Sequence, residues 1–181
     1  RGEADPMTTP DTPPAAAHPT PPVLPGTRLD IHPVEDIQLG IFRDPFERVE
    51  TLSGYLLRPS KLSPVVWGFR KGSAPAGYLM DVAGHLLSSY ATFPQNGTVY
   101  LLNHKGHRMG LLFPPPSYSL DLTRTKVKIL PGETPALYPE GWPGKLVTAV
   151  IRYRFRKVIV LNERFLLSLM LRMANKQTKG T

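Results

Sequence analysis

The sequence predicts an α+β fold: a small antiparallel sheet with two or three helices, a proline-rich extended arm at the N-terminus and an amphipathic helix at the C-terminus. Three observations predict it. Helix-start signals and three-to-four-residue apolar spacing fall in the first half of the chain, and period-two alternation with turn residues dominates from Thr98 to Arg156. The 181 residues, 41% of them hydrophobic, suffice for one packed domain with appendages, since a typical domain takes about 100–150 residues. The expected division is an arm over residues 1–27 and a single α+β domain over 28–181 that ends in a basic strand and helix.

Eight of the 21 prolines lie in the first 25 residues, with Pro13 beside Pro14 and Pro21 beside Pro22, so this stretch has little to bury and reads as an extended arm. In a monomer the expectation is a disordered tail, and laid across a neighbouring subunit the same arm would order on binding. Leu29, Ile31, Val34, Ile37, Leu39 and Ile41 then recur at roughly alternating positions and predict an extended segment. Asp44 followed by Pro45 and Glu47 predicts a capped helix start, continued by Phe46, Val49, Leu52 and Leu56 and ended before Pro59. Residues 58–76, with Pro59, Pro64 and Pro75 around Trp67, read as a linker. A second helix is expected over 76–90, with Leu79, Met80, Ala83, Leu86, Leu87 and Tyr90 on one face.

Residues 98–102 and 108–113 flank a polar tip of Asn103, His104, Lys105, Gly106 and His107, which predicts a hairpin. Tyr118, Leu120 and Leu122 alternate with polar residues, as Lys126 and Lys128 do with Val127 and Ile129, so one or two further strands precede Pro131 and Gly132.

The C-terminal stretch carries most of the information about partners. Ile151, Tyr153 and Phe155 alternate with Arg152, Arg154 and Arg156, so one extended strand would present an aromatic face to the core and a guanidinium row to the outside. Lys126, Lys128 and Lys157 would extend that basic face. Beyond Asn162, a fitting N-cap, Phe165, Leu166, Leu169, Met170 and Met173 have helical spacing and a broad apolar face. Adjacent arginines repel unless an anion lies opposite them, and the guanidinium fork suits carboxylate and phosphate. The expected partners are therefore anionic lipid headgroups or RNA phosphates for the cations, and another subunit for the apolar helix.

Charge is polarised along the chain. Residues 1–90 carry 8 Lys and Arg against 10 Asp and Glu, a net −2, while residues 91–181 carry 14 against 4, a net +10. That asymmetry favours an anionic partner. With no cysteine there is neither a disulfide framework nor a thiolate zinc site. No window holds the roughly 18–20 uninterrupted apolar residues that a spanning helix needs. The opening at Arg1, without an initiator Met, fits a processed or partial protein.

No catalytic constellation stands out. His104 and His107 lack a third ligand nearby and have Lys105 and Arg108 as neighbours, so no metal site is expected. There is no Gly-x-Ser-x-Gly elbow, no phosphate-cradling glycine loop and no dinucleotide fingerprint. The expectation is a non-enzyme without cofactors. The most economical reading is a structural accessory subunit of a large mitochondrial membrane complex of respiratory or ATP-synthase type, associated with the inner membrane and docked through its basic C-terminal segment. The rival is a mitochondrial ribosomal protein whose same cations contact rRNA phosphates.

Overall fold

Many of the apolar strands are covered on both faces, and that sets the architecture. In the computed structural model, which describes residues 23–87, 94–115, 117–131 and 137–179, two six-stranded sheets account for the domain. The first sheet contains β1 (Arg28–Val34), β2 (Ile37–Phe42), β9 (Tyr118–Asp121), β10 (Lys128–Ile129), β11 (Val147–Tyr153) and β12 (Arg156–Leu161), in the order β10-β11-β12-β2-β1-β9. The second contains β3 (Arg48–Thr51), β4 (Leu56–Pro59), β5 (Val66–Arg70), β6 (Gly77–Asp81), β7 (Thr98–His104) and β8 (His107–Phe113), in the order β3-β7-β8-β6-β5-β4. Each sheet has one parallel pair, β12 with β2 and β6 with β8, among antiparallel neighbours. Helix α1 (Val82–Leu86) is a single short turn, and α2 (Glu163–Lys179) closes the chain.

Three apolar clusters explain the arrangement. Leu29, Ile31, Phe42, Leu120, Ile151, Val158 and Val160 come from the first sheet alone, and Ile129 and Leu120 of its two edge strands meet in that cluster, so the sheet curls around its own core. Leu79, Val99, Leu101 and Leu112 form a separate core within the second sheet. The opposite sides of the same strands meet between the sheets: Leu39, Ile41, Ile159 and Leu161 pack with Met80, Tyr100, Met109, Leu111 and Phe113. Along β12, Val158 and Val160 serve one core while Ile159 and Leu161 serve the other.

This corrects the α+β expectation: the domain is mostly β, and α2 is its one extended helix among the described residues. The helix expected after Asp44 is absent. The Asp44 carboxylate accepts from Thr27 N–H at 3.2 Å, Thr27 Oγ1 at 3.1 Å and Arg28 N–H at 3.1 Å, so it ties the chain entry to β1. Residues 48–51 pair instead with β7, and β4 and β5 occupy much of the expected linker. The helix expected over 76–90 is largely replaced by β6, which lies between β5 and β8; only 82–86 is helical, and residues 88–90 lie outside the description. Periodicity cannot separate a doubly covered strand from a buried helix. Gly77 lies where a Cβ would meet the Arg108 carbonyl oxygen at 2.5 Å, a close backbone approach that only glycine permits.

The hairpin of β7 and β8 forms as expected, with a tighter turn at Lys105 and Gly106, and β9 forms at Tyr118–Asp121. Asn162 caps α2, accepting from Arg164 N–H at 3.1 Å and Phe165 N–H at 3.4 Å. The predicted arm falls almost wholly on residues 1–22, outside the described residues; Leu24, at its end, packs on the core of the first sheet.

Candidate functional site

The expected single strand carrying three arginines is in fact a hairpin. β11 ends at Tyr153, Arg154 and Phe155 make the turn, and Arg156 begins β12. The Arg152, Arg154 and Arg156 side chains therefore do not form one row. Phe155, expected in the core, is fully exposed, whereas Tyr153 is half-buried against the core of the first sheet.

What the pairing does align is a different set. Arg152 lies opposite Lys157 on β12 and opposite Lys128 on β10, so three exposed cations occupy one rung across three strands. Like charges directly opposite one another destabilise a sheet. Among the described residues, Arg152, Arg154, Arg156 and Lys128 have no carboxylate in ion-pair range, whereas Arg43 pairs with Asp30, Lys71 with Glu50 and Arg124 with Asp121. Lys126 stands apart, in the segment before β10, where it lines a groove of about 440 Å³ with Leu24, Thr27 and Ile129.

The turn itself is strained. Arg154 and Phe155 have φ of 48° and 64°, the left-handed region of the two-residue hairpin turn in which Asn-Gly is preferred. Each non-glycine residue held there costs about 1–2 kcal/mol, and such residues cluster at functional sites. The Arg154 guanidinium lies 5.2 Å from the Tyr153 ring centre. Tyr118 of β9 adds a further aromatic: its hydroxyl donates to Gln38 Oε1 at 2.6 Å, and burial raises its pKa while the charge of Arg156 pulls the other way. A depression of about 410 Å³ between Asp36, Gln38, Arg156 and Lys157 adjoins the hairpin. Aromatic and arginine side chains of this kind are the residues enriched at the energetic centres of protein interfaces.

The apolar helix residues have a different fate. Leu166 and Met170 are fully buried, and Phe165, Leu169 and Met173 pack around the core shared by the two sheets. The face expected to need a partner is covered by the chain itself.

A buried polar network that sequence reasoning missed pins the sheets together. Asp30 and His32 of β1 are 2% and 0% exposed. Tyr100 of β7 donates to Asp30 Oδ2 at 2.8 Å and lies 2.6 Å from His32 Nε2, while His32 Nδ1 is 3.2 Å from the Pro114 carbonyl oxygen. Ser119 Oγ and Arg43 Nε donate to Asp30 at 2.6 and 2.9 Å. Burial pushes His32 down to about 4, the Pro114 carbonyl and the Asp30 charge drawing it partly back. Burial raises the Tyr100 hydroxyl as well, reinforced by the Asp30 charge. With Asp30 and His32 so little exposed, the cluster ties β1 to β7 through hydrogen bonds made away from water. No group of three or more His, Cys, Asp or Glu among the described residues is placed to hold a metal ion.

Two curled sheets packed on a common core, with a terminal helix filling the seam, define a β-rich two-sheet domain. Its backbone is similar to the crystal structure of the scaffolding protein TtCheW from Thermoanaerobacter tengcongensis, with a TM-score of 0.54, 9% sequence identity, and coverage of 81% of this chain and 90% of that one. The sequence matches no protein family, and no curated protein matches it.

These findings correct the functional expectation. The accessory subunit of a mitochondrial inner-membrane complex, whether respiratory or ATP-synthase type, rests on basicity without cysteine, a modest Lys and Arg density and a terminal helix in need of cover; that helix is internal, and the fold resembles that of a scaffolding protein. The mitochondrial ribosomal alternative and the lipid-binding role rested on a guanidinium row that the hairpin breaks up. No helix among the described residues is long and apolar enough to cross a membrane.

Proposed function

We propose that the chain is a non-catalytic scaffold module that holds an acidic surface of a partner protein against the hairpin of β11 and β12. The observation that carries this reading is the strained, fully exposed Phe155 at the tip of a hairpin whose strands bear the Lys128, Arg152 and Lys157 rung. Phe155 supplies an apolar anchor, and Arg152, Arg154 and Arg156 supply charge-assisted contacts to carboxylates around it. The CheW-like fold supports the reading, because the neighbour is itself described as a scaffolding protein. A protein partner accounts for the site better than RNA, since the cations gather around one protruding aromatic and form no continuous backbone-tracking groove.

The test is site-specific photo-crosslinking in the source cells, with a benzophenone amino acid at position 155 and at exposed Ser73 as control. The expected result is a discrete adduct with a protein bearing an acidic surface, formed from position 155 and not from 73, and lost in Arg152→Glu/Arg156→Glu. Adducts with RNA or lipid, or equal adducts from both positions, would overturn the reading.

A further inference from the structure

We propose a second binding site, a groove on the β4–β5–β6 face of the second sheet that takes an acidic, apolar segment of a protein, with one apolar side chain over Gly68 and carboxylates at Arg58 and Arg70. Four glycines lie within the strands, and three are explained by packing. A Cβ at Gly40 would meet Val158 at 3.0 Å, one at Gly77 the Arg108 carbonyl at 2.5 Å, and one at Gly110 the Leu101 side chain at 2.6 Å. At Gly68 nothing lies closer than the Arg58 carbonyl oxygen at 3.8 Å, and its φ is not in the left-handed region. Glycine inside a strand weakens it and marks places where a ligand or another backbone approaches. Here no backbone among the described residues comes closer than that ordinary contact.

The pairing register shows what surrounds that gap. Arg58, Gly68 and Tyr78 form one rung, and Leu56 pairs with Arg70 on the next, so all five share a face. Toward the other sheet the same face continues through Val66 and Met80 into the shared core. Beyond that rung the covering stops, leaving a groove of about 330 Å³ lined by Leu56, Arg58, Gly68, Arg70 and Tyr78. That volume falls at the lower end of ligand-binding clefts. Leu56 is 72% exposed, a large apolar side chain at the groove edge with no cover among the described residues. Neither Arg58 nor Arg70 has a carboxylate in ion-pair range among the described residues. Two unpaired guanidinium groups beside an apolar trough are complementary to a segment that alternates carboxylates with aliphatic side chains. β4 itself is short and ends in Pro59, which discourages addition of a further strand along its edge. The occupant therefore lies across the face and is held by side chains. A scaffold with this groove on one sheet and the cationic hairpin on the other would engage two partners at once.

The test uses the full isotopically labelled chain in an Arg152→Glu/Arg156→Glu background, so that the hairpin cannot account for the result. It is titrated with the capped pentapeptide Glu-Leu-Glu-Leu-Glu and with its counterpart carrying lysine for glutamate, and amide shifts are followed by NMR. The expected result is saturable shifts within β4, β5 and β6 for the acidic peptide and none for the basic one. Gly68→Leu, which fills the trough where a Cβ has room, should weaken binding at least tenfold while leaving the spectrum folded; Arg58→Glu/Arg70→Glu should do the same by reversing the charge. Shifts elsewhere or spread over the surface, equal binding of the basic peptide, or affinity indifferent to both variants would overturn the groove. Those outcomes would leave the hairpin reading standing, because the crosslinking at position 155 tests it separately.

Discussion

Replacing Asp30 with alanine should cost about 3 kcal/mol of folding stability. Its carboxylate is 2% exposed and accepts from Tyr100 at 2.8 Å, Ser119 at 2.6 Å and Arg43 at 2.9 Å. Removing one partner of a buried ion pair costs about 3–5 kcal/mol. Because the Arg43 side chain is 34% exposed and regains water, this pair belongs at or below the lower end of that range. The exposed Ser119 hydroxyl likewise regains water and adds little, and Tyr100 keeps His32 as a second partner. Tyr100→Phe leaves Asp30 with Arg43 and Ser119 and should cost less, about 1–2 kcal/mol. Equilibrium urea denaturation checks both. With a slope of about 1–3 kcal/mol per M, a loss of 3 kcal/mol moves the midpoint by roughly 1–3 M out of a total stability of about 5–15 kcal/mol. If Asp30→Ala stayed within 1 kcal/mol of the parent, or cost less than Tyr100→Phe, the carboxylate would not be the hub of the junction between the sheets.

Other expected outcomes follow from the same structure. His32 is held at about 4, below its ordinary 6.5, so the unfolded chain binds the extra proton first; stability is full above about 6.5 and declines as the pH falls toward 4, by about 3 kcal/mol at most. Urea midpoints compared at pH 7 and pH 4.5 in the parent and in His32→Gln check this, and the decline should be shallower in the variant. Met170 is fully buried in the shared core, and Met170→Ala should cost about 2–5 kcal/mol; a cost under 1 kcal/mol would mean that α2 does not pack as described. Arg152→Glu places a carboxylate between Lys128 and Lys157 and should raise stability slightly, by about 0.2–1 kcal/mol, although it removes the proposed partner contact. Thermal melts beside the crosslinking assay separate the two effects, and a destabilised variant would argue against the cross-strand rung.

Some of this was legible from residue order alone. The turn between β7 and β8 is marked by Lys105-Gly106, β9 by the alternation at Tyr118 and Leu120, and the start of α2 by Asn162 ahead of a run with helical spacing. These signals are local: turn chemistry, a cap and a period carried within a few residues. The Asp44-Pro45 pair carried an equally good local signal and was misleading, because the carboxylate found better donors in Thr27 and Arg28, which are distant in sequence. Likewise Arg154-Phe155 contains neither Asn nor Gly, so nothing in the sequence announced the turn that divides the arginines.

Composition and residue order are enough for the polarity of charge along the chain, the absence of cysteine chemistry, and the residues with enough apolar surface to build a core. The folded chain was needed to show that β6, β8 and β12 are strands buried on both faces, since double burial erases the alternation by which a strand is recognised. It also decided that α2 covers its apolar face with the chain's own sheets, that Lys128, Arg152 and Lys157 meet across three strands, and that Gly68 leaves room for a Cβ where Gly40, Gly77 and Gly110 do not. Each of these depends on which segments become neighbours, and that choice is made by the summed burial of the whole chain, which no short stretch encodes.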